Sequence, residues 1–225
     1  MRKLWWKVLA ILLILYSIVW GFTNKVPELY LIYESIRNLY YHVPMWMTMM
    51  LLFLFSFINS LLFLSKQDLK WHYNASEFAK VGLFFGCLGM ATGMEWANFT
   101  WGQPWSNDPK QTGSALTMLI YFAYLVLISS VKNPKKSGTI GAVYNIFGFV
   151  LMFPLIYILP SMSESLHPGT GGAEGGLGSN LFASDLNMRL VFYPAVIGWF
   201  LIGIWISTLF IRLKRIQVKL INSDF

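Results

Sequence analysis

The sequence has 225 residues, of which 56% are apolar, 17% aromatic and only 12% charged, and its mean hydropathy is +0.55. Soluble globular domains carry about twice that share of charged residues, so the composition predicts an integral membrane protein. Lys and Arg exceed Asp and Glu, which gives a formal net charge of +7.

Six apolar runs are long enough to cross a membrane, because each is close to the ~20 residues that a spanning helix needs. None alternates apolar and polar residues as a transmembrane strand does. The first run has no cleavage site behind it, so we expect a retained helix rather than a signal peptide. The sequence therefore predicts an all-α fold, with residues 1–225 forming one polytopic bundle of six transmembrane helices. The spans lie near residues 4–22, 45–65, 78–97, 114–131, 139–160 and 190–211.

Basic residues are divided unevenly between the two sides of this bundle. Thirteen fall at the termini and in the two short connections, and four fall in the three longer connections. The positive-inside rule then predicts cytoplasmic termini and outer loops at residues 23–44, 98–113 and 161–189. We expect a multi-pass membrane protein, surrounded by lipid, with its functional loops on the outer side. The excess charge is explained by topology, so no nucleic-acid partner is predicted.

Several local features lead to further expectations. The apolar residues of loop 23–44 recur at helical spacing, which predicts a helix lying along the membrane surface. Loop 161–189 contains six glycines, so its tip is expected to be mobile and to fold over a bound complex or contact a partner. Cys87 lies within the third run and is expected to be buried, whereas His72 is expected to be solvated or interfacial. Asn145 is expected to form a hydrogen bond across the bundle.

Two histidines are predicted to lie together at the outer face, at membrane level. His42 precedes the second run in YYHVPMW, and His167 follows the fifth run in SLHPG. One histidine at a helix end is usually a cap or an interfacial residue, but two on one face suit a metal centre. With no thiolate, third histidine or acid cluster beside them, a closed zinc site is poorly supported. An iron already held by a porphyrin needs only two axial ligands.

The stretch WGQPWSNDPKQTG, residues 101–113, combines aromatic and charged residues in a short outer loop. Trp101 and Trp105 are suited to stacking on a flat apolar plate, or to an ordinary aromatic belt at the headgroup level. Asp108 precedes a proline and is expected to cap the next helix. The outer face also carries cations that suit the propionates of a porphyrin, unless they are simply solvated charges. These cations are Arg37, Lys110 and Arg189.

The sequence resembles the heme exporter protein C (CcmC) family of the cytochrome c maturation system over nearly the whole chain. The stretches that carry this resemblance are TWGQPWSND, ATGMEW, LIYFAYLVL, RNLYYHVPMW and SLHPG. The resemblance implies that heme b, iron protoporphyrin IX, is held between a tryptophan-rich outer loop and two axial histidines. It also implies delivery to a periplasmic heme chaperone of the CcmE type, together with transporter subunits of the CcmA and CcmB types. The family positions that correspond to functional residues are His42, His167, Trp101, Gly102, Trp105, Asp108, Arg37 and Lys110.

The sequence departs from the family signature at two positions, because Pro104 and Asn107 stand where tryptophans are usual. Two aromatic faces are therefore missing, which predicts weaker heme retention or a different docking of the chaperone. The resemblance implies a delivery protein rather than a catalyst with its own turnover. Two alternatives remain: a heme lyase of the related CcsA type, whose chains are generally longer and richer in His, and a membrane assembly subunit without a cofactor.

Overall fold

The computed structural model describes residues 4–27, 33–167 and 185–223, and the secondary structure of these residues is entirely helical. A 3-10 segment, Tyr33–Asn38, leads directly into the second helix, and a π-helical segment, Pro154–Ile158, joins the fifth helix to the short sixth one. The predicted all-α, polytopic fold is confirmed. The helices are α1 (Trp5–Thr23), α2 (Leu39–Lys66), α3 (Leu69–Trp101), α4 (Pro109–Ser130), α5 (Pro134–Phe153), α6 (Leu159–Ser161) and α7 (Leu186–Ser223).

Five stretches of the described chain are long and apolar enough to cross a membrane, and they contain α1, α2, α4, α5 with its extension to Ser161, and α7. The remaining long helix, α3, has 33 residues but a lower mean hydropathy, because it combines glycines with polar residues. It nevertheless runs back along α2 after a connection of only two residues, Gln67 and Asp68. The predicted third span therefore falls in a helix that packs along α2 but is not one of the five stretches that are apolar enough to cross a membrane.

The bundle formed by the described helices has two chemically different ends. Gly138, near the start of α5, lies against the Phe63 ring near the end of α2. We call this end, where α2 and α4 finish and α3 and α5 begin, the basic end. At the opposite end, Gly113 of α4 approaches the backbone of Leu155. We call it the site end, because the predicted site residues of α2, α3 and α4 lie there.

Four glycines of α3 allow α2 to approach very closely. A Cβ atom at these glycines would lie 2.7, 2.7, 2.9 and 2.5 Å from the nearest side-chain atom of α2. The pairs follow one another in antiparallel order, so the two helices are in register from the centre of the bundle to the site end. Small residues permit this close contact between membrane helices, where van der Waals packing replaces the hydrophobic effect. The pairs are Gly82 with Phe53, Gly86 with Met49, Gly89 with Trp46, and Gly93 with His42.

Polar side chains also connect the helices inside the bundle. The Asn145 amide of α5 donates hydrogen bonds to the hydroxyl oxygens of Ser56 (2.8 Å) and Ser60 (2.7 Å) on α2. The Ser56 hydroxyl in turn donates to the Ala75 carbonyl of α3 at 2.7 Å. The predicted hydrogen bond of Asn145 across the bundle is therefore confirmed.

Some expectations for individual residues were wrong. Cys87 is exposed on the outside of α3, because the glycine face of that helix, rather than the cysteine, is turned toward α2. His72 is buried, with its ring 5.8 Å from that of Phe63, because α3 begins at residue 69 and carries this histidine into the bundle.

The helices also extend beyond the predicted spans and shorten the loops between them. Residues 39–44 belong to α2 instead of loop 23–44, and residues 98–101 belong to α3, so the connection between α3 and α4 is only residues 102–108. The predicted surface helix is not seen at residues 33–38, which form a 3-10 segment, and residues 28–32 lie outside the described chain. The glycine-rich tip of loop 161–189 also lies outside it.

Gly113 offers a direct test of the packing at the site end. A Cβ atom there would lie 2.0 Å from the Leu155 carbonyl oxygen, which is backbone and cannot rotate away. We expect Gly113→Ala to lower stability by about 1–3 kcal/mol, because overpacking outweighs the better helix propensity of alanine. Gly198→Ala is the matched control, since its nearest neighbour is the end of the Ile14 side chain at 3.0 Å. Unfolding in detergent would measure both, and equal stabilities would contradict this account of the contact.

Candidate functional site

A small, partly open pocket lies at the site end and is lined by both predicted histidines. His42 comes from the first turns of α2, and His167 comes from the segment that follows α6. Sequence spacing could not show that these residues, 125 positions apart, line the same pocket. The other lining residues are Trp46 of α2, Gly89, Met90, Gly93 and Met94 of α3, and Gln111 and Ser114 of α4.

The His42 ring is oriented by α3. Its Nδ1 lies 2.9 Å from the Gly89 carbonyl oxygen and 3.3 Å from the Thr92 hydroxyl oxygen. A carbonyl can only accept, so Nδ1 carries the proton and donates it to Gly89. The lone pair of the neutral ring is then at Nε2, which is the form that ligates a metal. Gly93 leaves room for the ring, since a Cβ atom there would lie 2.5 Å from His42 Cε1.

His167 is oriented in the same way by a different acceptor. Its Nδ1 lies 2.8 Å from Oδ1 of Asp108, whose side chain is completely buried. An ionised carboxylate only accepts hydrogen bonds, so His167 Nδ1 donates, and in a neutral ring the lone pair is again at Nε2. A carboxylate behind a histidine is a common arrangement at metal sites, because it fixes the ring and raises the basicity of the ligating nitrogen.

Asp108 accepts further hydrogen bonds from both chain segments that surround it. Oδ1 accepts from the backbone N–H groups of Lys110 (2.9 Å) and Gln111 (3.4 Å), so the predicted capping of α4 is confirmed. Oδ2 accepts from the Ser165 hydroxyl (2.8 Å) and the Leu166 N–H (2.7 Å). One carboxylate therefore ties the start of α4 to the segment that carries His167.

The surroundings of Asp108 favour its ionised form. Burial by itself raises the pKa of this carboxyl group, because it removes water from the charged form. The hydrogen bond and charge of His167, together with the hydrogen bonds from Ser165 and Leu166, outweigh this effect and hold the pKa of Asp108 well below its usual range. The acceptor behind His167 is therefore a carboxylate at neutral pH.

The tryptophan-rich connection lies beside the pocket. Trp101 is the last residue of α3, and its ring meets the His167 ring edge to face, with 5.0 Å between their centroids. Gly102 follows with a φ of 77°, the left-handed conformation that ends a helix most readily at glycine. Trp96 packs against Trp101 with its ring centroid 5.5 Å away. The aromatic residues thus form a wall next to His167.

The two departures from the family signature have local structural partners. The Asn107 side-chain oxygen accepts a hydrogen bond of 2.7 Å from the Trp105 indole N–H. Asn107 itself has a φ of 56°, a left-handed conformation that asparagine tolerates better than a bulky residue. The Pro104 carbonyl accepts from the Gln111 amide at 3.2 Å. Both residues therefore help to fix the short connection between α3 and α4.

The three predicted outer cations are not among the residues that line the pocket. Arg37 donates hydrogen bonds of 2.7 Å to the carbonyls of Gly21 and Asn24 and pairs with Glu34, so it holds the end of α1. Arg189 lies in the first turn of α7. Lys110 lies in the first turn of α4, close enough for its charge to act on the His42 ring.

Several site residues were missed by the sequence reasoning. Gln111 is buried and accepts hydrogen bonds from the backbone N–H (3.1 Å) and hydroxyl (3.2 Å) of Ser106. Its position three residues after the capping Asp108 is a capping-box spacing, which could have singled it out. Gly89 and Gly93 could have been recognised from the repeated small residues in GLFFGCLGMATG, a pattern typical of close helix contact.

These features define the class: a polytopic helical membrane protein with a two-histidine pocket at one end of its bundle. In the described residues, no three or more His, Cys, Asp or Glu side chains form a group that could hold a bare metal ion. The sequence model of CcmC, heme exporter protein C, matches residues 2–223. The chain therefore belongs to the heme exporter protein C family, a family of cytochrome c biogenesis.

Individual relatives are more distant. The chain is 27% identical over 153 residues to a heme exporter protein C of Paracoccus denitrificans, a match that covers 68% of this chain and 63% of that protein. It is also 30% identical over 105 residues to a cytochrome c biogenesis protein CcsA of Lotus japonicus, covering 47% of this chain and 30% of that one. The CcsA of Zea mays is 31% identical over 97 residues, which cover 43% of this chain and 28% of that protein.

Replacement of Asp108 tests whether this residue ties the start of α4 to the segment that carries His167. We expect Asp108→Ala to destabilise the site end by about 2–4 kcal/mol, because several buried donors lose one shared acceptor. Asp108→Asn is the matched variant: asparagine is an equally good cap, so it keeps the capping of α4 while it removes the charge and one of the two acceptor oxygens. Unfolding in detergent and hydrogen exchange of the Leu166 amide would measure the effect. Wild-type protection of that amide in Asp108→Ala would contradict the proposed tie.

Proposed function

We propose that this protein binds heme b at the site end of its bundle, on the periplasmic face of a bacterial inner membrane, and delivers it to a periplasmic heme chaperone. The observation that carries the proposal is the pair of histidines in one pocket, each with Nδ1 held by an acceptor. Two imidazoles that donate through Nδ1 can, in their neutral form, bind iron through Nε2, which gives the two axial ligands that a porphyrin iron requires. His42 and His167 are therefore the proposed metal ligands.

The dimensions and walls of the pocket suit cargo that is held and later released. The pocket is far too small to enclose a porphyrin plate, so part of the plate would extend past the histidines toward residues 102–108. There Trp101 and Trp105 provide aromatic surface, and Gly102 adds no side chain. The partly open pocket would let a chaperone reach the edge of the plate without unfolding the bundle.

The propionates require cations at the rim of the pocket. Lys110 is the best placed, because it lies in the turn capped by Asp108 and its charge acts on His42. Arg37 already donates to two carbonyls of α1, so its contribution to heme binding would be to hold the segment that leads into His42. Arg189 is proposed as a third cation at the start of α7.

Membership of the family supports a set of partners from the cytochrome c maturation system. We propose a chaperone of the CcmE type as the acceptor, and transporter subunits of the CcmA and CcmB types as further components. In the proposed function the protein positions heme and presents it to the chaperone, without catalysing a reaction of its own. The matched segments cover at most about a third of the CcsA proteins quoted above, so direct attachment of heme to an apocytochrome is the less supported function.

A visible spectrum of the purified protein tests the ligands. We expect a low-spin heme spectrum from the wild type, and a changed spectrum with at least tenfold weaker heme retention in His42→Ala and in His167→Ala. His72→Ala is the matched control, because His72 is also a buried histidine but lies near the basic end. If all three variants keep the wild-type spectrum, or the wild type binds no heme, the proposal is wrong.

The same preparation separates delivery from attachment. Heme-loaded protein is mixed with the purified chaperone or, in a parallel sample, with an apocytochrome c. Covalently bound heme should appear on the chaperone alone. Heme attached to the apocytochrome in the absence of the chaperone would identify a lyase instead.

Gly93 is expected to control the position of the His42 ring. Its replacement by alanine would place a Cβ atom 2.5 Å from Cε1 and displace the imidazole from Gly89. We therefore expect Gly93→Ala to retain heme several-fold less well and to show an altered low-spin signature. Gly198→Ala is the control, since its nearest neighbour is the end of the Ile14 side chain at 3.0 Å. Identical spectra for wild type and Gly93→Ala would contradict this role.

A further inference from the structure

Four basic side chains from three helices converge on the first turns of α3, at the basic end. Lys66 of α2 and Lys70 of α3 place Nζ 5.3 and 5.1 Å from the centre of the Trp71 ring. Lys214 of α7 places Nζ 5.6 Å from the Tyr73 ring centre, and the guanidinium of Arg215 donates to the Asn74 side-chain oxygen at 3.3 Å. We call these residues, Lys66, Lys70, Lys214 and Arg215, the basic cradle.

The charge of the basic cradle is largely uncompensated. Asp68 pairs with Lys70 at 2.8 Å, and the other ion pairs found among the described residues involve none of the remaining three cations. Four positive charges and one negative charge leave three positive charges around the start of α3. Such a cluster favours an anion, and its attraction is strongest where nearby protein and lipid exclude water.

The residues around the basic cradle are of the types that surround a bound lipid headgroup. Trp71 and Tyr73 are the residue types that settle at the boundary between hydrocarbon and water. The helices that supply the cations also carry exposed apolar side chains, since Leu61 of α2 is 44% exposed and Leu213 of α7 is 53% exposed. A small soluble anion would gain nothing from contact with apolar side chains, whereas the acyl chains of a phospholipid would pack against them.

We propose that the basic cradle binds the headgroup phosphate of an anionic phospholipid, with the acyl chains lying along the exposed apolar side chains of α2 and α7. Basic pockets between membrane helices recognise such headgroups by the same combination of charge and apolar surface. The bound lipid would fasten the end of α7 to the start of α3. The inference does not depend on the proposed function, because the cradle lies at the end of the bundle opposite the two histidines.

The test measures lipid retention by the full-length protein in detergent. Native mass spectrometry would count phosphatidylglycerol and phosphatidylcholine adducts of the wild type, of Lys66→Gln/Lys214→Gln and of Lys66→Arg/Lys214→Arg. The matched control is Lys135→Gln/Lys136→Gln, which removes two charges from the same end of the bundle, where both residues are exposed at the start of α5. Single variants Lys66→Gln and Lys214→Gln cover the case in which the double variant fails to fold.

We expect phosphatidylglycerol affinity to fall roughly tenfold or more in the glutamine double variant, to remain within about twofold in the control, and to be retained with arginine. Each single variant should fall by roughly fivefold. Unchanged affinity in the glutamine variants would overturn the proposal. An equal loss in the control would also overturn it, because it would show attraction to surface charge in general. Displacement of the lipid by millimolar inorganic phosphate would identify a site for a soluble anion instead.

Discussion

The site end of the bundle depends on one buried carboxylate. Asp108 caps α4, accepts from the backbone and side chain of the segment after α6, and holds Nδ1 of His167. These groups belong to parts of the chain that are more than fifty residues apart. The depressed pKa of Asp108 follows from the same contacts, since every donor that fixes its position also stabilises its negative charge.

The two histidines reach equivalent tautomers through different means. His42 donates to a backbone carbonyl that is accessible only because α3 presents glycine to α2, whereas His167 donates to a charged carboxylate. A carboxylate strengthens the ligating nitrogen more than a neutral carbonyl does. In the proposed function, heme would therefore meet a stronger ligand on the side of the tryptophan wall and a sterically defined ligand on the side of α3.

The bundle separates its two chemical tasks by distance along the helices. The helix ends near His42, Asp108 and His167 combine few charges with a pocket and aromatic walls, while the other end concentrates lysine and arginine. Between them, α2 and α3 are in close contact at Gly82 and Gly86. In the proposed functions, cargo is handled at one end, and a lipid anchors α7 at the other.

The sequence by itself determined the all-helical membrane fold, because long apolar runs leave the backbone no other way to satisfy its hydrogen bonds. Capping by Asp108 was also predictable, since it depends only on neighbouring residues. The tertiary structure alone decided that His42 and His167 share one pocket, that Asp108 holds His167, and that Arg37 is committed to α1. Those contacts join residues distant in the chain, and periodicity reports which face of a helix is apolar but not which helix that face will meet.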